Sequence, residues 1–212
     1  MDVLIFDLDN TLYPPERQLF SLIDVRINRY MTEVVGIPAA EVDGLRRDYW
    51  RQYGVTLQGL IRHHAVDPED YLYYVHDVDV GTRLSADPQL RAALEALPQR
   101  KTVFTNGSTD HALRVLAALG VHDLFDSIYD IRVADYRPKP FVEPYQAVLA
   151  ALDIAADRCV MIEDMRDNLR TAKELGMRTV LVGDGATPTY VDLHLADVCQ
   201  VSDGLLAWSA AG

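Results

Sequence analysis

Short unbroken apolar runs recur along this chain, each ending abruptly at polar residues. They are Val3-Leu4-Ile5-Phe6, "KTVFTN" at 101–106, a weaker run near "SIYDI" at 127–131, "RCVMIE" at 158–163 and "RTVLVG" at 178–183. Short apolar runs of this kind, rich in β-branched residues and without alternation, predict strands covered on both faces, as in a parallel sheet. Between them the spacing changes to the three-and-four rhythm of helices in "DPQLRAALEAL", "STDHALRVLAALG", "EPYQAVLAALD" and "RDNLRTAKELG". Ser108 is the expected N-cap of the second of these helices and Gly120 its stop. Strands alternating with helices predict an α/β fold, a Rossmann-like parallel sheet with helices on both faces.

Residues 14–84 break this alternation, because they read as helices only. "ERQLFSLIDVRINRYMTEVV" carries apolar residues at helical spacing at Leu19, Leu22, Ile23, Ile27, Tyr30, Met31 and Val34, with Gly36 and Pro38 as the stop. "AAEVDGLRRDYWRQYG", "TLQGLIRHHA" and "PEDYLYYVH" continue in the same manner. The expected organisation is therefore a core of residues 1–13 and 85–212 interrupted by an all-helical insertion at 14–84.

Composition narrows the function classes. With 49% hydrophobic residues over 212 positions the chain can bury a real core. A net charge of −12 argues against tracking a nucleic-acid backbone, which needs a basic face. Cys159 and Cys199 stand in no metal-binding or disulfide spacing. The start has no basic signal region and no apolar run approaches the ~20 residues that span a bilayer, so a soluble, cytoplasmic protein is the expectation.

In open parallel sheets, chemistry collects beyond the carboxyl ends of the strands. Read in turn, those ends present Asp7, Asp9 and Thr11; then Thr105-Asn106-Gly107; then Lys139 between Pro138 and Pro140; then Glu163-Asp164. Asp7 and Asp9 stand two residues apart, so strand alternation would turn both carboxylates to one side. Two such charges side by side need a cation, a shared proton or full solvation. Singly, each aspartate suits a turn and Asn106-Gly107 is an ordinary turn dipeptide.

Together, "FDLDNTL", "TNG", "KP" and "EDMRDN" resemble the phosphatase branch of the haloacid dehalogenase superfamily, and "DLDNTLYP" with "YGVTLQGL" is similar to its pyrimidine 5'-nucleotidase-like members. The resemblance implies that Asp7 is a nucleophile forming an aspartyl-phosphate, and that Asp9 is the acid and base. It also implies Mg²⁺ held by Asp7, the backbone carbonyl of Asp9, Asp164 and Glu163. Thr105 and the amide groups around Asn106 and Gly107 would hold phosphate oxygens, with Thr11 a further substrate-binding candidate, and Lys139 would neutralise charge on the transferring group.

The helical insertion would be a cap over this site, and the substrate a small phosphorylated metabolite, foremost a pyrimidine nucleoside 5'-monophosphate. A sugar phosphate is the alternative. A haloacid dehalogenase would need neither Asp9 nor the Glu163-Asp164 pair, and a non-catalytic binding protein would not need every position filled. In the insertion, Arg62, His63 and His64 form the nearest candidate cluster for base or ribose contacts, although His63 and His64 also suit a solvated surface pair. Tyr71, Tyr73 and Tyr74 read as packing residues, Asn168 as structural, and Asp167 as an open candidate for the metal. Oligomeric state is not legible in the sequence.

Overall fold

The computed structural model describes the backbone of residues 1–211 and the side chains of residues 1–208. Six parallel strands form one sheet: β1 (Val3–Phe6), β2 (Arg100–Phe104), β3 (Ser127–Tyr129), β4 (Cys159–Glu163), β5 (Arg178–Val182) and β6 (Leu193–Leu195). Their order is β3-β2-β1-β4-β5-β6. The chain winds outward from β1 through β2 to β3, then crosses to β4 on the other side of β1. This reversal leaves a crevice at the carboxyl ends of β1 and β4, where Phe6 pairs with both Val103 and Ile162.

Burial on both faces explains why β1 is apolar throughout. Leu4 and Phe6 pack with residues of α5 (Pro88–Glu95), α6 (Thr109–Leu119) and α9 (Val201–Ala211). Val3 and Ile5 point the other way, into a cluster with α7 (Val142–Leu152) and α8 (Arg166–Glu174). Ser108 caps α6 by accepting the His111 N–H, and Gly120 ends it, as the sequence predicts.

Residues 14–84, between β1 and α5, fold mainly as α1 (Leu19–Arg29), α2 (Ala39–Tyr53), α3 (Thr56–His64) and α4 (Pro68–His76). These helices gather their own apolar cluster, in which Ile23, Tyr30, Leu57, Leu60, Tyr71 and Leu72 are buried. Two details differ from the periodicity. A short turn at Pro15–Arg17 and left-handed backbone at Gln18 (φ 54°) delay α1 to Leu19. After α1 the helix widens at Tyr30–Val34, where the Val35 N–H reaches back five residues to the Tyr30 carbonyl (3.0 Å). Two elements lie beyond those the periodicity predicts: β6, whose three residues are too few to make a periodic signal, and α9. No described helix is long and apolar enough to cross a membrane.

Helices α2 and α3 meet at Gly59, where a Cβ would lie 2.1 Å from Cγ of the buried Tyr49. That atom is close to the tyrosine's own backbone, so it cannot swing away cheaply. Gly59→Ala is therefore expected to destabilise the protein by about 1–3 kcal/mol. Gly44→Ala, which meets nothing within 4 Å on α2, should instead stabilise by about 0.5–1 kcal/mol through helix propensity. Calorimetric melting of both variants checks the contrast, and a Gly59→Ala melting point at or above that of the parent would contradict it.

Candidate active site

A cavity of about 490 Å³ opens over the crevice at β1 and β4, between the sheet and the helical stretch. Asp7, Asp9, Thr105, Asn106, Gly107, Lys139, Glu163 and Asp164 all border it, so the clusters read from the strand ends do converge. Only Phe6 and the residues before it are strand, and Asp9 is carried by the turn that follows.

At the floor, the Lys139 ammonium is 2% exposed and donates to Asp7 Oδ1 (2.7 Å), Glu163 Oε2 (2.8 Å) and the Phe104 carbonyl (2.8 Å). Burial by itself would lower its pKa, but the two carboxylates outweigh that and hold it above its ordinary value. Burial, followed by the charge of Glu163, pushes the Asp7 carboxyl up to about 7. Glu163 is likewise raised to about 7, by burial first and then by Asp164. Asp164 is raised by burial and by Asp7. One lysine thus serves a cluster of three carboxylates, each of which places one oxygen within 4.8 Å of the other two. Such a hard-oxygen cluster with surplus negative charge fits a divalent cation such as Mg²⁺.

Several expected roles are corrected by the hydrogen bonds. Thr11 does not border the cavity: it is 1% exposed, its hydroxyl lies 3.1 Å from Asp7 Oδ2 and 3.2 Å from Asp164 Oδ1, and it accepts the Asp164 N–H. It is a brace between two carboxylates rather than a substrate contact. The Asn106 side chain grips the Lys139 backbone at both ends, accepting its N–H (2.8 Å) and donating to its carbonyl (3.1 Å), which aims the lysine. The Gly107 N–H is taken by Thr105 Oγ1 (2.9 Å), so Gly107 offers no donor to a ligand. Thr105, accepting there, keeps its own proton to donate. All three Lys139 donors are spent on protein atoms, so its charge reaches the cavity through Asp7 and Glu163. The Asp9 carboxylate stands apart from the three-carboxylate cluster.

In the helical stretch, Arg62, His63 and His64 do not reach the cavity. His64 Nε2 is 2.9 Å from the Tyr49 hydroxyl, His63 Nε2 is 2.8 Å from that of Tyr53, and Arg62 lies over the Tyr53 ring. The last turn of α3 is drawn to the tyrosines of α2. The cavity wall is instead built by Phe20, Ile23, Ile27, Arg46, Trp50, Arg51 and the "YGVTLQGL" residues Gly54–Leu57. Arg46 is tied to Asp24 and Asn28, while Arg51 has only a loose pairing with Asp48 at 3.9 Å. Tyr71 is buried and Tyr74 packs on Tyr30, but Tyr73 is 81% exposed and packs on nothing of note. Asp167 borders the cavity, exposed and 3.9 Å from Arg170; Asn168 anchors the Tyr145 hydroxyl through its carbonyl.

Three residues escape a sequence reading altogether: Tyr13, His76 and His111. His111 Nε2 is 2.8 Å from Asp9 Oδ1, and the Tyr13 hydroxyl is 2.5 Å from the same oxygen. Burial raises the Asp9 pKa, but the attraction and hydrogen bond of His111, with the bond from Tyr13, more than offset it and leave the carboxyl below its usual range. Only the presence of His111 in the first turn after "TNG" could have hinted at this.

The chain is 31% identical to phosphatase MT3486 of Mycobacterium tuberculosis, over 96% of this chain and 98% of that one. It is 29% identical to phosphate metabolism protein 8 of Saccharomyces cerevisiae over 84% of its length, and it spans 60% of the yeast protein. Among solved structures, CbbY from Rhodobacter sphaeroides in complex with phosphate shares the fold with a TM-score of 0.67 at 19% identity, covering 95% of this chain and 96% of that one. The model of the haloacid dehalogenase-like hydrolases matches residues 1–176, a span that holds every strand-end cluster described above, and the chain belongs to that family.

Proposed function

We propose that the protein is a Mg²⁺-dependent phosphomonoester hydrolase that works through an aspartyl-phosphate on Asp7, with residues 14–84 as its cap and a nucleoside 5'-monophosphate, foremost a pyrimidine one, as substrate. The observation that carries the chemistry is the Asp7–Lys139–Glu163–Asp164 cluster, buried except for the half-buried Asp164, which borders the same cavity as Asp9.

Asp7 attacks phosphorus, and the bond from phosphorus to the leaving oxygen breaks as Asp9, which takes up a proton on Oδ2 when the negatively charged phosphate ester binds beside it, gives that proton to the leaving oxygen. Water then attacks the phosphorus of the aspartyl-phosphate, Asp9 takes the water's proton, and inorganic phosphate leaves with Asp7 restored. Thr105 Oγ1 and the backbone N–H groups of Asp9 and Asn106, which donate to no protein acceptor among the described residues, are available to phosphate oxygens. Bound at Asp7, Glu163 and Asp164, Mg²⁺ would offset their charge and that of the phosphate. Asp9 and the carboxylate cluster also distinguish this chemistry from dehalogenation, which needs neither.

The cavity supports the choice of leaving group. At about 490 Å³ it lies within the ~300–1,000 Å³ of pockets that enclose a whole drug-sized ligand, and is roomy for a three-carbon phosphate. Its wall is largely apolar, and Phe20 and Trp50, 40% and 53% exposed, offer faces on which a base can stack. The similarity of "YGVTLQGL" to the pyrimidine nucleotidases concerns residues that include the wall itself.

The test is phosphate release from uridine and cytidine 5'-monophosphates, purine counterparts, sugar phosphates and p-nitrophenyl phosphate, with and without Mg²⁺. Highest kcat/KM on a pyrimidine nucleotide, dependent on Mg²⁺, is the expected outcome. Trp50→Ala should raise KM for that nucleotide by about 10-fold, as loss of a stacking face does, while sparing p-nitrophenyl phosphate. Preference for a sugar phosphate, with no effect of Trp50→Ala, would overturn the nucleotide assignment.

A further inference from the structure

Both hydrogen bonds to the Asp9 carboxylate from the described residues fall on one oxygen. Oδ1 receives the Tyr13 hydroxyl and His111 Nε2, and among the described residues no hydrogen bond reaches Oδ2, although Asp9 borders the cavity. Tyr13 must be the donor of its pair, because burial and the neighbouring Asp9 charge keep its phenol protonated. His111 Nε2 must likewise carry a proton to face a carboxylate oxygen.

The rest of the His111 ring is held at a cost. It is 0% exposed, yet Nδ1 has no hydrogen-bond partner among the described residues. An unsatisfied buried polar atom costs roughly 1–3 kcal/mol, so a ring selected for stability alone would be better apolar. Behind it lies the ring of His76, at the end of α4, with centroids 4.7 Å apart and planes at 21°. His76 is fixed in turn: Nδ1 is 2.9 Å from the Leu72 carbonyl and 3.2 Å from Ser108 Oγ, and Arg114 of α6 donates to the His76 carbonyl at 2.5 Å. Burial and then His111 push its pKa down to about 3, so the stack does not set two cations face to face. The backbone of Gly107 lies against this pair, since a Cβ there would touch both rings at 3.4 Å.

We propose that Tyr13 and His111 clamp Asp9 through Oδ1 and so present Oδ2 to the leaving group, and that His76 of the helical insertion backs His111 in this role. These are positioning residues for the acid and base, and the inference rests on the phosphatase reading above.

The experiment compares kcat, KM and the pre-steady-state burst for an alkyl phosphate, the preferred nucleotide, and for p-nitrophenyl phosphate, whose leaving group needs no proton. His111→Phe keeps the ring and the stack but loses the donor, whereas His111→Gln restores an N–H near the Nε2 position. Expected for His111→Phe is a fall in kcat on the nucleotide of about 100-fold with KM little changed, as for a misaimed catalytic group. The p-nitrophenolate burst rate should be retained, and His111→Gln should recover most of the loss. Tyr13→Phe and His76→Ala should show the same selectivity, more weakly. Equal losses in the first step of both substrates, or no recovery in a folded His111→Gln, would overturn the clamp. Should His111→Phe not fold, an unchanged alkyl-to-aryl ratio in Tyr13→Phe overturns it, and an unchanged ratio in His76→Ala removes the brace. Failure of the parent protein to turn over either substrate would overturn the phosphatase reading instead, and the clamp with it.

Discussion

Asp7→Asn is expected to abolish turnover while leaving a folded protein. The amide keeps the volume and the pairing with β4 through the Asp7 N–H to the Ile162 carbonyl (2.9 Å), but it has no anionic oxygen to attack phosphorus. The loss should reach at least about 10⁴-fold in kcat, the order found when a nucleophile is removed and the binding groups remain. Stability should move the other way at neutral pH. Burial and then Glu163 raise Asp7 to about 7 in the fold, above its ordinary value near 3.8. A raised carboxyl contributes stability that is fully present below the unfolded pKa and is lost as pH rises through the folded one. Without a divalent cation, the parent should therefore lose melting temperature between pH ~4 and ~7 more steeply than Asp7→Asn. Melting curves across that range, with kcat measured on the same preparations, check both parts. A variant with appreciable turnover would remove Asp7 from its role.

Lys139→Met carries the second large effect, and it couples stability to activity. The lysine side chain is 1% exposed, as is that of Glu163, and that of Asp7 is 10% exposed. Removing the ammonium leaves two neighbouring buried carboxylates and the Phe104 carbonyl without their donor. Breaking a buried pair in this way costs about 3–5 kcal/mol, because the remaining charge is uncompensated. Mg²⁺ should recover part of the melting temperature by supplying positive charge at the same carboxylates, but activity should stay low because the lysine no longer holds Asp7 in line. Denaturant unfolding with and without Mg²⁺ measures this, and a variant as stable as the parent in the absence of Mg²⁺ would show that the lysine does not hold the buried carboxylates together.

The parts of this molecule visible in the sequence are those encoded locally. Four apolar residues before Asp7 suffice to place β1, because both of its faces are buried, and Lys139 between two prolines and Glu163-Asp164 at the end of β4 stand where strand grammar puts them. What fails is decided by partners distant in the chain. Thr11 looks like a phosphate ligand in its motif, yet its hydroxyl is committed to Asp164, 153 positions away, and the part the Asn106 side chain plays, holding the Lys139 backbone 33 positions away, is not legible in "TNG". Arg62, His63 and His64 look like a binding cluster, but the packing of α3 on α2 turns them to Tyr49 and Tyr53. His111 is invisible for the same reason, since its contact with Asp9 spans 102 positions. The wall formed by Phe20 and Trp50 depends on how α1 and α2 lie over the sheet, which no periodicity specifies.

Covalent capture of the phosphoryl group on Asp7 is the central claim, and acid-quenched single turnover with substrate labelled at phosphorus tests it most directly. Label retained on the protein during the first turnover, mapped to the peptide containing Asp7, labile to hydroxylamine and absent from Asp7→Asn, is the predicted result. Complete release of labelled phosphate with none ever found on the protein, or label on any residue other than Asp7, would contradict the account.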